Sequence, residues 1–155
     1  FEKGNSDSIN QLGYYYQFIK INYTKMKKYY FLAIEKGNIT AISNLGTYYF
    51  NIGYYKAMKI YYLLAIEEGN IYSIYNLGYY YYTIKKYTKM KKYLFLAISK
   101  GFNKAFYLLG IHYYKKEKYA QMKKYFLMAI KNGCKNSLMI YNCIIQLNII
   151  KLYNI

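Results

Sequence analysis

Residues 38–70 read NITAISNLGTYYFNIGYYKAMKIYYLLAIEEGN, and the same plan recurs down the chain. Ile42, Leu45, Tyr49 and Ile52 are spaced three to four apart, the period of an amphipathic helix. A break follows at Asn51–Gly53. Tyr55, Met58, Tyr62, Ala65 and Ile66 then set out a second helical stripe. Gly69 falls where a left-handed C-cap would end that helix. Asn70 is placed to N-cap the next one. The block predicts one helical hairpin.

The repeat can be followed by its punctuation. Gly4-Asn5, Gly37-Asn38, Gly69-Asn70, Gly101 and Gly133 follow one another at steps of 33, 32, 32 and 32 residues. Leu12-Gly13, Leu45-Gly46, Leu77-Gly78 and Leu109-Gly110 keep the same beat. So do the second stripes: Tyr23, Met26, Tyr30 and Ala33; Tyr87, Met90, Leu94 and Ala97; Tyr119, Met122, Phe126 and Ala129. The units run from about 5–37, 38–69, 70–101 and 102–133, with a degraded, capping unit at 134–155. There Tyr141-Asn142 stands where Leu-Gly belongs. Breaks are expected near Ile19–Asn22, Lys36–Asn38, Asn51–Gly53, Glu68–Asn70, Thr83–Lys86, Lys100–Asn103, Lys115–Glu117 and Asn132–Lys135. The fold class is all-α: stacked antiparallel helix pairs, each burying its apolar face only against its neighbours. A mid-helix Gly costs roughly 1 kcal/mol against Ala. Gly13, Gly46, Gly78 and Gly110 therefore imply a close helix crossing, with Ala33, Ala65, Ala97 and Ala129 expected to face them.

Leu-Gly-x-x-Tyr, then Tyr-x-x-Met, then Ala near the end of the second helix resembles the tetratricopeptide pattern. The string Ala-Ile-Glu-Lys-Gly-Asn-x-x-Ala at Ala33–Ala41 is similar to the Sel-one-like branch of that superfamily. The resemblance covers Phe1 to about Asn148. It implies a right-handed α-solenoid whose first helices line a concave, partner-binding groove. Two departures stand out. The Gly-rich inter-helix loop of Sel-one-like units is replaced, for example by Thr83–Lys86, and the Pro after the second helix is missing. The Tyr-, Lys- and Asn-rich composition is similar to repeat proteins of giant DNA viruses, which implies the cytoplasm of a host cell.

The 155 residues carry 27 Tyr and a formal net charge of +17, and all 23 basic residues are Lys. The favoured residues have A- and T-rich codons, so an AT-rich genome accounts for part of this bias. A charge this large also favours acidic partners or nucleic acid. Cys134 and Cys143 form neither a C-x-x-C motif nor a disulfide framework, and read as reduced thiols of an intracellular protein. The most apolar stretch, Ser137–Ile155, is interrupted by polar residues and too short of continuous hydrophobicity to cross a membrane. The opening Phe1-Glu2-Lys3-Gly4-Asn5 nearly duplicates Ile34-Glu35-Lys36-Gly37-Asn38, which suggests a fragment of a longer array.

Catalytic constellations are missing from this pattern. The acids Glu2, Asp7, Glu35, Glu67, Glu68 and Glu117 lie mostly at helix ends one block apart, poorly placed to converge as an acid–base pair. The single His112 takes a slot held by Tyr15, Tyr48 and Tyr80 elsewhere and reads as a substitute for Tyr. One His and two distant Cys cannot make a metal site. No cofactor is expected, and the chain reads as non-enzymatic.

Two surfaces carry binding expectations. The first is the groove, where register places Asn10, Tyr14 and Gln17; Ser43, Thr47 and Phe50; Tyr75, Tyr79 and Tyr82; Tyr107, Ile111 and Tyr114, with Asn44 and Asn76 beside them. The expected partner-binding set is Asn44, Thr47, Tyr75, Asn76, Tyr79, Tyr82, Tyr107 and Tyr114, whose rigid rings suit a peptide or protein. The second is a lysine ladder on the second helices: Lys27, Lys28, Lys59, Lys91, Lys92, Lys123 and Lys124. Lysines in a first helical turn oppose the macrodipole, so helix stability does not explain them. They offer an alternative function, sequence-nonspecific binding of nucleic acid or an acidic protein. The absence of Arg argues against base-specific reading.

Overall fold

The computed structural model describes residues 2–134 and residue 142. Cys143 and most of the expected capping unit lie outside the described residues. Among those described, the chain is all helical: α1 (Glu2–Phe18), α2 (Tyr23–Glu35), α3 (Ile39–Asn51), α4 (Tyr55–Glu67), α5 (Ile71–Thr83), α6 (Tyr87–Ser99), α7 (Lys104–Lys115) and α8 (Tyr119–Lys131). The breaks fall where the repeat puts them, to within one residue. The helices pair as antiparallel hairpins, α1 with α2, α3 with α4 and α7 with α8, and successive hairpins touch through α2–α3 and α6–α7. The chain divides into two compact units, Phe1–Leu77 and Gly78–Ile155, with the division inside α5. One difference from expectation is at the start. Gly4-Asn5 lies inside α1 rather than ending a helix. A Gly costs a helix only about 1 kcal/mol, so the dipeptide permits a stop without enforcing one.

The ends of the second helices share one device. Asn38 N donates to Ala33 O and Gly37 N to Ile34 O, at 2.9 and 2.8 Å, which is the paired bonding of a Schellman cap. The pattern repeats after α4, α6 and α8, with Gly69, Gly101 and Gly133 at φ between +81 and +88°. The following Asn then caps the next helix: Asn38 Oδ1 accepts from Ala41 N at 3.0 Å, and Asn70 Oδ1 from Ser73 N at 2.9 Å. One dipeptide thus ends one helix and starts the next.

The loops after α3, α5 and α7 use the same cap, and all four hairpin loops hold a left-handed residue that need not be Gly. Gly53 takes φ +75°, but Ile21, Lys85 and Glu117 stand in the left-handed region at +47, +58 and +56°. An L-residue there pays about 1–2 kcal/mol. This is what the missing Gly-rich loop means physically.

The glycines at mid-helix face the large residues of the second helix, not its alanines. A Cβ on Gly46 would lie 2.5 Å from the Tyr62 ring, one on Gly78 2.8 Å from Leu94 Cδ2, and one on Gly110 2.6 Å from the Phe126 ring. Gly13 meets Tyr30 in the same way. Tyr30, Tyr62, Leu94 and Phe126 are all buried. Ala33, Ala65, Ala97 and Ala129 are buried too, and their carbonyls accept the cap bonds described above. A stacked tyrosine pair recurs in every hairpin. Tyr16–Tyr29, Tyr49–Tyr61, Tyr81–Tyr93 and Tyr113–Tyr125 have centroids 5.3–5.4 Å apart and planes within 13°. Such pairs add about 0.5–1.5 kcal/mol each beyond their buried area.

Gly46→Ala should lower the melting temperature, because the Tyr62 ring is held at its far end by Thr47 and cannot swing aside. Overpacking of about 1–3 kcal/mol then exceeds the roughly 1 kcal/mol gained in helix propensity. Gly78→Ala should cost less, since only a rotatable Leu94 methyl must move. Equal effects in thermal unfolding would refute the ring as the source. In the first loop, Ile21 is 65% exposed, so Ile21→Gly loses little burial and should stabilise the chain by up to about 1 kcal/mol. A lower denaturant midpoint would contradict that.

Candidate functional site

In the first unit, most of the expected groove residues are engaged inside the molecule. Asn44 Nδ2 donates to Asn10 Oδ1 at 3.0 Å, tying α3 to α1. Asn38 Nδ2 donates to Asp7 at 2.7 Å, and the buried Ser73 hydroxyl donates to Ser43 at 2.9 Å. Thr47 Oγ1 sits 3.1 Å from the Tyr62 hydroxyl and also donates to Ser43 O. Asn76 bonds to the same phenol. Burial raises the Tyr62 pKa, and the bonds to Thr47 and Asn76 partly offset it. Gln17 is buried and accepts from Tyr30 at 2.7 Å. Asn38–Asp7, Asn44–Asn10 and Ser73–Ser43 form a polar seam between neighbouring first helices, whereas Gln17, Thr47 and Asn76 hold the phenols of second-helix tyrosines. Tyr75 is half-buried. Sequence register cannot separate a groove-lining Asn from one that bridges to the preceding repeat.

The second unit presents a different surface. Tyr79 is 41% and Tyr114 38% exposed. Tyr82 lies next to Tyr79, with ring centroids 6.4 Å apart. Tyr107 is half-buried and packs on Phe126 at 6.0 Å; burial, then the Cys134 thiol nearby, raises its pKa. Tyr79 and Tyr82 are brought together on α5, and Tyr107 and Tyr114 lie two turns apart on α7.

The lysine ladder divides into two kinds of residue. Lys27, Lys59 and Lys91 are half-buried, whereas Lys28, Lys92, Lys123 and Lys124 are exposed. Lys27 Nζ lies 5.5 and 5.7 Å from the ring centroids of Tyr48 and Tyr49, and Lys91 Nζ 5.2 Å from that of Tyr113. Lys27 and Lys91 therefore reach over the first helix of the following hairpin. Lys25 and Lys89 cover Tyr16 and Tyr81 at 5.2 and 5.5 Å. Such cation–π contacts contribute about 0.5–1 kcal/mol where exposed. The recurrence of Tyr at 16, 49, 81 and 113, with Lys four residues ahead of the second-helix Tyr at 29 and 93, was the sequence signal for them.

A cationic pocket of about 400 Å³ lies where the α5–α6 loop meets the end of α7. Tyr82, Thr83, Lys85, Tyr87, His112, Lys115 and Lys116 line it. Lys116 Nζ is 5.0 Å from the Tyr87 ring centroid, and Lys115 Nζ 5.4 Å from that of Tyr82. The Tyr82 hydroxyl is buried. It interacts with Lys115 closely enough to raise the lysine's pKa. An ammonium can only donate, so the phenol's own proton has no acceptor among the described residues. His112 is 5% exposed, with its ring 4.6 Å from Tyr87 and 5.2 Å from Tyr113. Burial, and secondarily the charges of Lys91, Lys116 and Lys118, push its pKa below 6.5. The expectation of a Tyr substitute fits its slot in the packing; its place against a pocket was not legible from the repeat.

No protein-family model matches the chain, and no curated protein matches it. Among the described residues, no three His, Cys, Asp or Glu side chains gather as a metal would require, and no helix is long and apolar enough to cross a membrane. Cys134 is a half-buried free thiol.

His112 makes stability depend on pH. Its folded-state pKa lies below the unfolded value near 6.5, so its neutral form is favoured by folding. That contribution is complete above pH 6.5 and is lost as pH falls through the window beneath it. Melting temperature should fall as pH drops through and below 6.5, and His112→Tyr should flatten that slope. An unchanged slope in the variant would show that the imidazole is not held neutral.

Proposed function

We propose that this chain is a non-enzymatic interaction scaffold, a right-handed α-solenoid of tetratricopeptide or Sel-one-like units that holds a peptide or protein partner against its first helices. The observation that carries the reading is the exposure of Tyr79 on α5 and Tyr114 on α7, with the Lys115 ammonium bordering them over the Tyr82 ring. Tyr supplies large rigid contact area and a hydrogen-bonding tip at low entropy cost. The hairpin repeat supports the family resemblance. The Tyr-, Lys- and Asn-rich composition supports an origin of the giant-virus kind and a place in the host cytoplasm. Tyr79, Tyr82, Tyr107 and Tyr114 are the residues retained for the partner site. Asn44 contributes to it by tying α3 to α1, and Thr47 and Asn76 by fixing the Tyr62 phenol of α4.

A second reading, binding of nucleic acid or an acidic protein, is favoured by the exposure of Lys92, Lys123 and Lys124 on α6 and α8. It draws less support than the ladder as a whole would give, because Lys27 and Lys91 already cover tyrosine rings. The two readings separate by salt and by mutation. For peptides selected from a random library on the intact chain, Tyr79→Ala with Tyr114→Ala should weaken binding about tenfold or more, with little salt dependence. Charge reversal at Lys92, Lys123 and Lys124 should leave those peptides bound. Binding of single-stranded DNA that falls steeply with salt, survives the tyrosine changes and is lost with the lysine changes would instead establish the second reading.

A further inference from the structure

We infer that the pocket at the α5–α6 loop is a binding site for a phosphomonoester group. The pocket shares Tyr82 with the partner surface proposed above, but the inference does not rest on that reading. Three observations converge on it. The first is charge: Lys85, Lys115 and Lys116 line one concavity of about 400 Å³, and no acidic residue lines it with them. All three lysines are exposed, so water screens their mutual repulsion, and an anion entering between them would be attracted by each. The volume falls within the range of small-molecule sites, about 300–1,000 Å³.

The second is the Tyr82 hydroxyl, buried beside the pocket without a hydrogen-bond partner among the described residues. A buried polar group left unsatisfied costs about 1–3 kcal/mol. An acceptor in the pocket would remove that cost. The neighbouring Thr83 hydroxyl is turned away from it, donating to Tyr80 O at 2.7 Å. The third is backbone strain. Lys85 holds φ +58° at the position where the preceding hairpin has Gly53. Glycine would be the less strained residue there, yet a lysine occupies the turn and lines the pocket.

The donor set selects among anions. Three ammonium groups and one phenol offer more donors than the two oxygens of a carboxylate can use. A phosphomonoester presents three acceptor oxygens and close to two negative charges at neutral pH. Lys binds such a group as a point charge and needs no bidentate geometry. A pocket, in place of an extended track, also favours a single group over a nucleic-acid backbone. The group could belong to a small metabolite or to a phosphorylated residue, and the chemistry recognised is the same.

Calorimetric titration of the full chain with inorganic phosphate, with acetate as comparator, tests this. Phosphate should bind at one site and acetate at least about tenfold more weakly. Tyr82→Phe and Lys115→Gln should each weaken phosphate about five- to tenfold, as loss of a charge-assisted hydrogen bond does. Lys85→Gly should weaken phosphate while raising the melting temperature, a split that misfolding cannot produce. Lys131→Gln, outside the pocket lining and the lysine ladder, should leave the affinity within about twofold. Glycerol phosphate and a capped Gly-phosphoserine-Gly peptide give the source, the tighter of the two naming it. Equal binding of acetate and phosphate, or equal weakening by Lys131→Gln and Lys115→Gln, would reduce the effect to net charge and overturn the proposal. So would intact binding in Tyr82→Phe and Lys85→Gly together.

Discussion

The seating of one large side chain over one glycine sets the geometry of each hairpin. Tyr30, Tyr62, Leu94 and Phe126 lie where a Cβ on Gly13, Gly46, Gly78 or Gly110 would stand. The glycine brings the two helix axes close, and the large side chain fills the space the missing Cβ leaves. Everything else in the hairpin follows from that separation. It sets the stacked pairs such as Tyr113–Tyr125 at 5.3 Å, and it places the phenol of Tyr62 against Thr47. The cost of a mid-helix Gly, roughly 1 kcal/mol, is offset by burying an entire large side chain, about 1.5–3 kcal/mol.

Neighbouring first helices are then joined by short polar side chains. Asn38–Asp7, Asn44–Asn10 and Ser73–Ser43 each bridge about one repeat. Buried polar contacts of this kind add little net energy but penalise any slip in register, because a shifted partner leaves a buried group unpaired. They suit a repeat chain, in which one hairpin closely resembles another and apolar packing alone discriminates poorly between registers. The same bonds make these residues unavailable as a set for gripping a ligand. The partner surface proposed above accordingly rests on the tyrosines of α5 and α7.

The helix boundaries were legible because Gly and Asn act locally. Gly37-Asn38 ends one helix and caps the next with bonds that depend only on the backbone nearby. The close crossing was legible as well, through the recurring Leu-Gly. Its partner was not: the small residue Ala97 was the natural guess, but Leu94 one turn earlier faces Gly78. A glycine that admits a bulky neighbour and one that admits a close backbone look alike in sequence. The candidate site was legible only in its aromatic half. Tyr is so frequent here that its position carried little information. Lys25–Tyr16 and Lys89–Tyr81 lie within one hairpin and follow the repeat, whereas the contacts of Lys27 and Lys91 and the pocket depend on how consecutive hairpins meet, about 20 or more residues apart along the chain, which periodicity does not reach.

The abundance of tyrosine bears on how the chain tolerates its charge. A formal +17 on 155 residues, with few acids, gives strong self-repulsion. Part of it is absorbed locally. Lys25, Lys27, Lys89 and Lys91 each lie over a tyrosine face, so a neutral ring quadrupole does what a carboxylate would do elsewhere. Such a contact is weaker than a buried ion pair, yet it desolvates little. It also turns a compositional bias toward Lys and Tyr into a repeating structural contact. Where lysines outnumber rings, charge remains uncompensated. At the α5–α6 loop Lys115 and Lys116 meet Tyr82 and Tyr87, while Lys85 stands beside them on a strained turn. The surplus there is the reason a bound anion would stabilise this end of the hairpin.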